Sequence, residues 1–415
     1  MKDELERLRR EFDALRRAYD ERLVALEQRL AHIGGGPLSA PAALAAPEPA
    51  PAPAVATAAA PEAAAKVDGQ GSAAPAGSSK VFNPDISVNG NFVGAAGNNP
   101  FATLPALLLS EVEASFQAVV DPYARADFFL SVTPSGINVE EGFITFTSLP
   151  ASLQLKVGQV RAQFGKMNTL HTHGLPSVDR PIVTDNLVGG DEGLADAGLS
   201  LSRLINNPYV FLELTGEVYA GRSAVFQSTQ RSHLAYVGRV RAYRDITESS
   251  NIDIGTSVAF GPATVDVPLP VLSAPGMATL QATDMNKRLI GIDATFRYRP
   301  LQRAIYQRLN VRTEFIWSRQ DMPTAPAEQA FGLYLSGEYQ FARRWYIGAR
   351  ADRSGRVTDA AAIDNGGSVF LTFWPTEFSQ IRGQFRQIRF AEGTRANEFL
   401  FQFNFSIGAH GAHAF

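Results

Sequence analysis

Residues 397–407 read NEFLFQFNFSI and decide the fold. Phe399, Phe401, Phe403, Phe405 and Ile407 share one parity, while Leu400, Gln402, Asn404 and Ser406 share the other. Successive side chains of a β-strand point to opposite faces, so this stretch is a strand with one aromatic face and one mostly polar face. The same alternation recurs upstream. Ile86, Val88 and Phe92 stand opposite Asp85, Ser87, Asn89 and Asn91, and Val112, Ala114, Phe116, Ala118 and Val120 stand opposite Glu111, Glu113, Ser115 and Gln117. Sixteen such segments fall between residues 82 and 407.

Their connections alternate. Short ones occur at DPYAR, SLPA, NNP, ITESS, RPLQRA, FARR and WPTE, and long ones at 163–196, 220–232, 262–287, 319–329 and 354–366, with two outward connections, near 134–138 and 390–396, that break the pattern by also being short. Short turns at one end and long loops at the other are the pattern of transmembrane β-barrels. Alternation alone also suits a soluble sandwich, but sixteen two-faced strands exceed what two packed sheets bury. A closed barrel of this size gives the polar face an aqueous lumen and the apolar face lipid. The predicted fold is therefore mainly β, a transmembrane antiparallel barrel of about sixteen strands over 81–415. Phe415 continues the aromatic parity of the last strand.

Two segments precede it. Over residues 1–33, Leu5, Leu8, Phe12, Leu15, Tyr19, Leu23, Leu26, Leu30 and Ile33 are spaced 3, 4, 3, 4, 4, 3, 4, 3, a heptad seam with one stutter. Eight Lys/Arg and eight Asp/Glu are interleaved with it, so a self-associating, trimeric coiled coil is expected, the alternative being a single amphipathic helix resting on its own domain. Residues 34–80 are Ala/Pro-rich and then Gly/Ser-rich, which makes a spacer. The opening MKDELERLRREFD has no apolar h-region and does not read as a signal peptide, so for an exported chain the expectation is either numbering after processing or a mis-set start codon.

Composition narrows the function. The chain has 415 residues, a net charge of −3 and no cysteine. That removes disulfides, thiolate metal sites and cysteine nucleophiles, and gives no basic excess for nucleic acid. Ser177 lies near His173, but no Ser–His–acid spacing supports an enzyme.

The polar parity names candidate pore-lining residues. Arg239, Arg241, Arg297, Arg312, Arg350, Arg382 and Arg386 come from later strands, and Glu111, Glu113, Asp127, Glu213 and Glu217 from earlier ones. Around a ring this sets a basic wall across from an acidic one, a field that biases ions; the same charges can also pair along neighbouring strands and stiffen the wall, and both can hold. The 163–196 loop carries Asp179, Asp185, Asp191, Glu192 and Asp196, and is expected to dip into the lumen and face the arginines. His171 and His173, in HTH, are candidate zinc or copper ligands. His410 and His413 belong to the other end of the barrel.

Three stretches, FNPDISVNGNFVG at 82–94, GKMNTLHTHGLPSVDRP at 165–181 and FSIGAHGAHAF at 405–415, resemble together an uncharacterised family of bacterial outer-membrane porin-like barrels. Its members are often labelled zinc-regulated TonB-dependent receptor-like. The resemblance implies an outer-membrane barrel and adds weight to zinc at His171 and His173. Active transport is not expected, because 335 residues (415 − 80) cannot supply both a plug and a 22-stranded barrel. In architecture the chain also resembles envelope-tethering porins. The expected function is a porin in the bacterial outer membrane, among lipid and lipopolysaccharide. It would be a homotrimer passing small polar solutes with mild anion preference, constricted by the 163–196 loop. The alternative is a tether whose periplasmic coiled coil, residues 1–33, holds peptidoglycan or an envelope protein.

Overall fold

The computed structural model describes residues 84–101, 104–228, 230–269, 279–323, 325–357 and 359–408. The coiled coil expected over 1–33, the linker over 34–80, and His410, His413 and Phe415 lie outside these residues.

The described chain forms sixteen strands. The first eight are β1 (Asp85–Asn98), β2 (Leu107–Asp121), β3 (Ala124–Thr133), β4 (Gly136–Leu149), β5 (Leu153–Arg161), β6 (Ala195–Ile205), β7 (Phe211–Tyr219) and β8 (Ala235–Thr247). The second eight are β9 (Ser250–Leu269), β10 (Thr279–Tyr298), β11 (Arg308–Gln320), β12 (Glu328–Ala342), β13 (Trp345–Arg356), β14 (Asp359–Thr376), β15 (Ser379–Arg389) and β16 (Arg395–Gly408). Each pairs antiparallel with its sequence neighbours, and β1 pairs with β16 from Ser87↔Gly408 to Asn98↔Asn397, so the barrel is closed and has no free edge.

Parity sorts the faces. On β16 Gln402 is fully buried and Phe399 is 53% exposed on the outside. The outer surface is apolar along the strands, as with Leu335, Ile347, Val369 and Leu371. Outward aromatics gather near the strand ends, with Tyr339, Phe341 and Trp345 at the short-turn end and Phe260, Trp317 and Phe331 toward the other. An apolar band between aromatic girdles suits a bilayer crossed by strands. No described helix is long and apolar enough to cross a membrane.

Two long loops expected from sequence are corrected. The β9–β10 ladder continues to Thr279↔Leu269, and the β13–β14 ladder reaches Arg356↔Asp359. The segments 262–287 and 354–366 are therefore mostly strand that outruns the apolar band. Their mixed composition concealed this, because strand beyond the band has no need of a lipid face.

The lumen, expected to be aqueous with the 163–196 loop dipping into it, also holds an apolar cluster. The inner parity also carries Phe129, Phe143, Leu289, Ile316 and Tyr334, all buried. Phe164, Met167, Leu175, Val183, Leu187, Val188 and Leu194 of the β5–β6 loop pack with them, as do Val225 and Phe226 of the β7–β8 loop. Each fully buried side chain of this size is worth about 1.5–3 kcal/mol to docking. The wall makes room with glycine: a Cβ at Gly332 would stand 2.5 Å from Val183 Cγ2, and one at Gly291 3.1 Å from the Phe164 ring.

Candidate functional site

The site is the β5–β6 loop and the wall it touches. Asn168 closes the loop's root: its Nδ2 donates to Ala162 O (2.8 Å) and Leu194 O (3.0 Å), and its Oδ1 accepts from Leu194 N (2.8 Å). A short helix, α1 (Ile182–Val188), lies along the wall with five residues buried. It ends at Gly189, whose φ of 87° is the left-handed conformation that glycine adopts without strain. Arg180 ties the loop to itself, donating to Met167 O (2.9 Å), Leu170 O (2.8 Å) and Asp191 Oδ1 (3.1 Å).

From this root the loop reaches around the barrel. Gln163 N donates to Glu217 on β7 (2.8 Å), Gly165 N to Ser257 on β9 (3.1 Å) and Met167 N to Glu314 on β11 (2.7 Å). Arg239 on β8 donates to Gly165 O. Val178 N reaches Gln384 on β15 (2.8 Å), Asn186 reaches Asp364 on β14 (3.0 Å), and Asn404 on β16 donates to His173 O (3.1 Å). Arg382 donates to Leu175 O (3.0 Å).

Asp179 is the centre of one anchor. Its Oδ2 accepts from Arg350 (2.9 Å) and Arg386 (2.8 Å), and its Oδ1 from Gln384 (2.6 Å). Burial alone would raise this carboxyl, but the Arg350 and Arg386 guanidinium groups outweigh it and hold it at about 2. A carboxylate with a depressed folded pKa adds stability above its unfolded value of 3.8, and that stability is lost as pH falls toward about 2. The contribution at neutral pH is about 2 kcal/mol. Hydrogen exchange of the loop's backbone amides should therefore quicken between pH 4 and pH 2 as the loop loosens, and Asp179→Asn should flatten the step. An unchanged step in that variant refutes the assignment.

The other loop acids do not converge on arginines of the wall. Asp191 pairs with Arg180 of its own loop and is largely exposed, and Glu192 is exposed. Asp185, on the first turn of α1, forms no ion pair among the described residues. Crowding by protein and the like charges of Asp191 and Asp179 push its carboxyl up, although the residue still reaches lumen water. Asp196, on β6, accepts from Arg222 N (2.7 Å).

The basic wall is not bare. Arg239 meets Asp293 (2.9 Å), Arg241 meets Asp253 (2.6 Å) and Glu213 (3.7 Å), Arg350 meets Asp352 (2.8 Å), and Arg386 meets Glu398 (2.5 Å). Asp127 is held by Arg125 (2.6 Å). Three cations have less compensation. Arg297 lies 3.7 Å from Asp253, and Arg382 binds only neutral acceptors: Thr372, Gln402 and Leu175 O. Arg312 has no ion pair among the described residues and lies within electrostatic reach of both Arg297 and Arg382. All three sit on the short-turn halves of their strands.

Beside β2 and β4, His171 lies between carboxylates. Its Nδ1 is 2.5 Å from Glu113 and 3.0 Å from Glu140, and its Nε2 is 2.8 Å from Glu141. Burial alone would lower the imidazole pKa, but these bonds outweigh it and raise it well above the usual value. His173 Nδ1 is 3.6 Å from the same Glu113 oxygen, and Glu111 accepts from Ser131 (2.8 Å). Strict alternation hides one of the two glutamates. A register shift at Phe129/Leu130 pairs Glu141 with Phe129 and Val139 with Leu130, leaving Glu140 extra in β4, and both carboxylates reach His171.

No family model matches the chain. An uncharacterised protein of Aquifex aeolicus (strain VF5) is 29% identical over 339 residues, which is 74% of this chain and 70% of that protein. Among solved structures, the in-vitro folded trimer form of OmpT, an outer membrane protein of Vibrio cholerae, aligns over 78% of this chain and 100% of its own. The TM-score is 0.53 and the identity 8%. A loop L8 deletion mutant of the same OmpT aligns at a TM-score of 0.52 and 8% identity, over 78% of this chain and 99% of its own. At this identity the likeness establishes the fold: a closed sixteen-strand antiparallel barrel of the porin type.

Proposed function

We propose that the protein is a porin of the bacterial outer membrane, passing small polar solutes by diffusion through a lumen narrowed by the 163–196 loop. The observation that carries this reading is the loop itself, which leaves the wall between β5 and β6 and is fastened across the interior, by Asp179 to Arg350 and Arg386 on β13 and β15 and by His171 to Glu113 and Glu141 on β2 and β4. In such a barrel the charged wall would act on passing solutes through its field. Most arginines are neutralised by neighbours. A mild anion preference then falls to Arg297, Arg312 and Arg382, which lie in the short-turn half of the lumen with little compensation. The trimer form of OmpT supports carrying a trimeric assembly to this chain, and the heptad seam of residues 1–33 suits the same threefold order. That seam and the Ala/Pro spacer also favour a second role, a periplasmic tether to cell wall or an envelope partner.

Purified protein in a planar bilayer under a KCl gradient tests the first reading. Stepwise conductance with a reversal potential on the anion side is expected, shifting toward cations in Arg297→Gln/Arg312→Gln. A folded barrel that never conducts refutes the porin, and an unshifted potential refutes the selectivity. Removing residues 1–80 separates the tether, since conductance should survive while the envelope loosens.

A further inference from the structure

We propose that the protein binds one divalent transition-metal ion, with Zn2+ as its representative, where the HTH stretch of the loop meets β2 and β4. The donors are the imidazoles of His171 and His173 and the carboxylate of Glu113. One donor atom from each lies within 4.8 Å of the other two. His171 and His173 are set one residue apart by a 3-10 turn at Thr172–Gly174, with ring centroids 5.8 Å apart at 65°. A single Glu113 oxygen faces Nδ1 of both rings, at 2.5 and 3.6 Å. A second trio, Glu111, Glu113 and Glu140, meets the same 4.8 Å limit and places further oxygens beside the first.

Two imidazole nitrogens with carboxylate oxygens suit zinc and its neighbours in the transition series, whereas magnesium and calcium prefer oxygen alone. The surroundings match such a centre. Glu141 Oε2 stands 2.8 Å from His171 Nε2, the carboxylate–histidine pairing that orients a metal-bound ring. Asn404 holds the backbone of His173, and Arg161 holds Glu140 at 2.5 Å.

Charge gives an independent reason. Glu111, Glu113, Glu140 and Glu141 are largely withdrawn from water, against one guanidinium in contact, Lys156 at longer range and the two imidazoles. Excess negative charge in such a setting is costly, and a divalent ion offsets it. The ion would take the place of the proton that His171 Nδ1 shares with Glu113. Binding does not require the channel reading. Its consequence for conductance does, since the ion would pin the loop to β2 and β4, away from the Asp179 anchor on β13 and β15.

The test uses the full chain, folded in detergent, stripped with EDTA and then titrated with ZnCl2 by equilibrium dialysis. One Zn2+ per chain in the micromolar range or tighter is expected, with two nitrogen ligands in the zinc-edge absorption spectrum. His410→Ala/His413→Ala should keep that ion. His171→Ala/His173→Ala should lose it, with the barrel's integrity checked by heat-modifiable gel migration. Should that variant not fold, Glu141→Gln gives the second readout, a loss of about 10–100-fold in affinity. No bound zinc in the wild-type chain, undiminished zinc in the folded histidine variant, or a spectrum with oxygen ligands only would each overturn the proposal. Zinc bound without conduction leaves the site standing and removes the porin.

Discussion

Arg350→Ala should undock the loop and raise single-channel conductance severalfold. The Arg350 side chain is 2% exposed and uses every nitrogen. Nε donates to Asp352 (2.8 Å), one terminal nitrogen donates to Ser177 Oγ (2.5 Å) and Asp179 O (2.8 Å), and the other donates to Asp179 Oδ2 (2.9 Å) and Arg180 O (3.2 Å). Truncation leaves Asp179 and Asp352 facing each other, with Arg386 as the one guanidinium still in contact with Asp179. Breaking a buried pair in this way costs about 3–5 kcal/mol, more than forming it gains, because the stranded charge cannot recover its water. The cost falls on the loop, since the barrel keeps its backbone ladders. Circular dichroism and heat-modifiable migration should therefore stay at wild type while conductance rises. Arg350→Lys should fall between, because an ammonium keeps the charge but not the planar fork that serves Asp179 and Asp352 together. Wild-type conductance in a folded Arg350→Ala barrel would mean that the loop does not set the aperture.

The strand pattern was legible because a barrel wall obeys one local rule, alternation, and a parity shift of one residue would turn Phe399 inward and Gln402 into lipid. What the sequence concealed is what alternation does not govern. Ile316 and Tyr334 occupy the inner parity yet are apolar, since their partners arrive from a loop about 150 residues upstream in sequence. Glu140 stands beside Glu141, where strict alternation allows only one inward position, and a bulge admits both. His171 was readable as a candidate ligand from HTH alone, but its carboxylates lie 30 to 58 residues away along the chain, and the ring of strands brings them there. Arg241 was readable as inward, but its neutralisation by Asp253 was not, because cross-strand partners depend on register.

Leu335→Arg should destabilise the folded barrel by about 2–4 kcal/mol in lipid vesicles, measured by urea titration of tryptophan fluorescence. Leu335 is 52% exposed on the outer face of β12, midway between the outward aromatics Phe331 and Tyr339. On a water-facing surface the same change would stay within about 0.5 kcal/mol, since an arginine there meets neither burial nor an unpaired charge. At the centre of an apolar band it must desolvate or distort the bilayer. Gln329→Arg supplies the depth control. It lies on the same face of the same strand, six residues nearer the long-loop end, about 20 Å along the strand at about 3.4 Å per residue. Near the interface the arginine can reach water and headgroups, so the cost should fall to about 0–1 kcal/mol. A large difference between the two positions has one physical source, a medium whose polarity changes with depth. Equal and small effects at both would place the outer face in water, and the lumen, the loop and the proposed conduction would lose their meaning together.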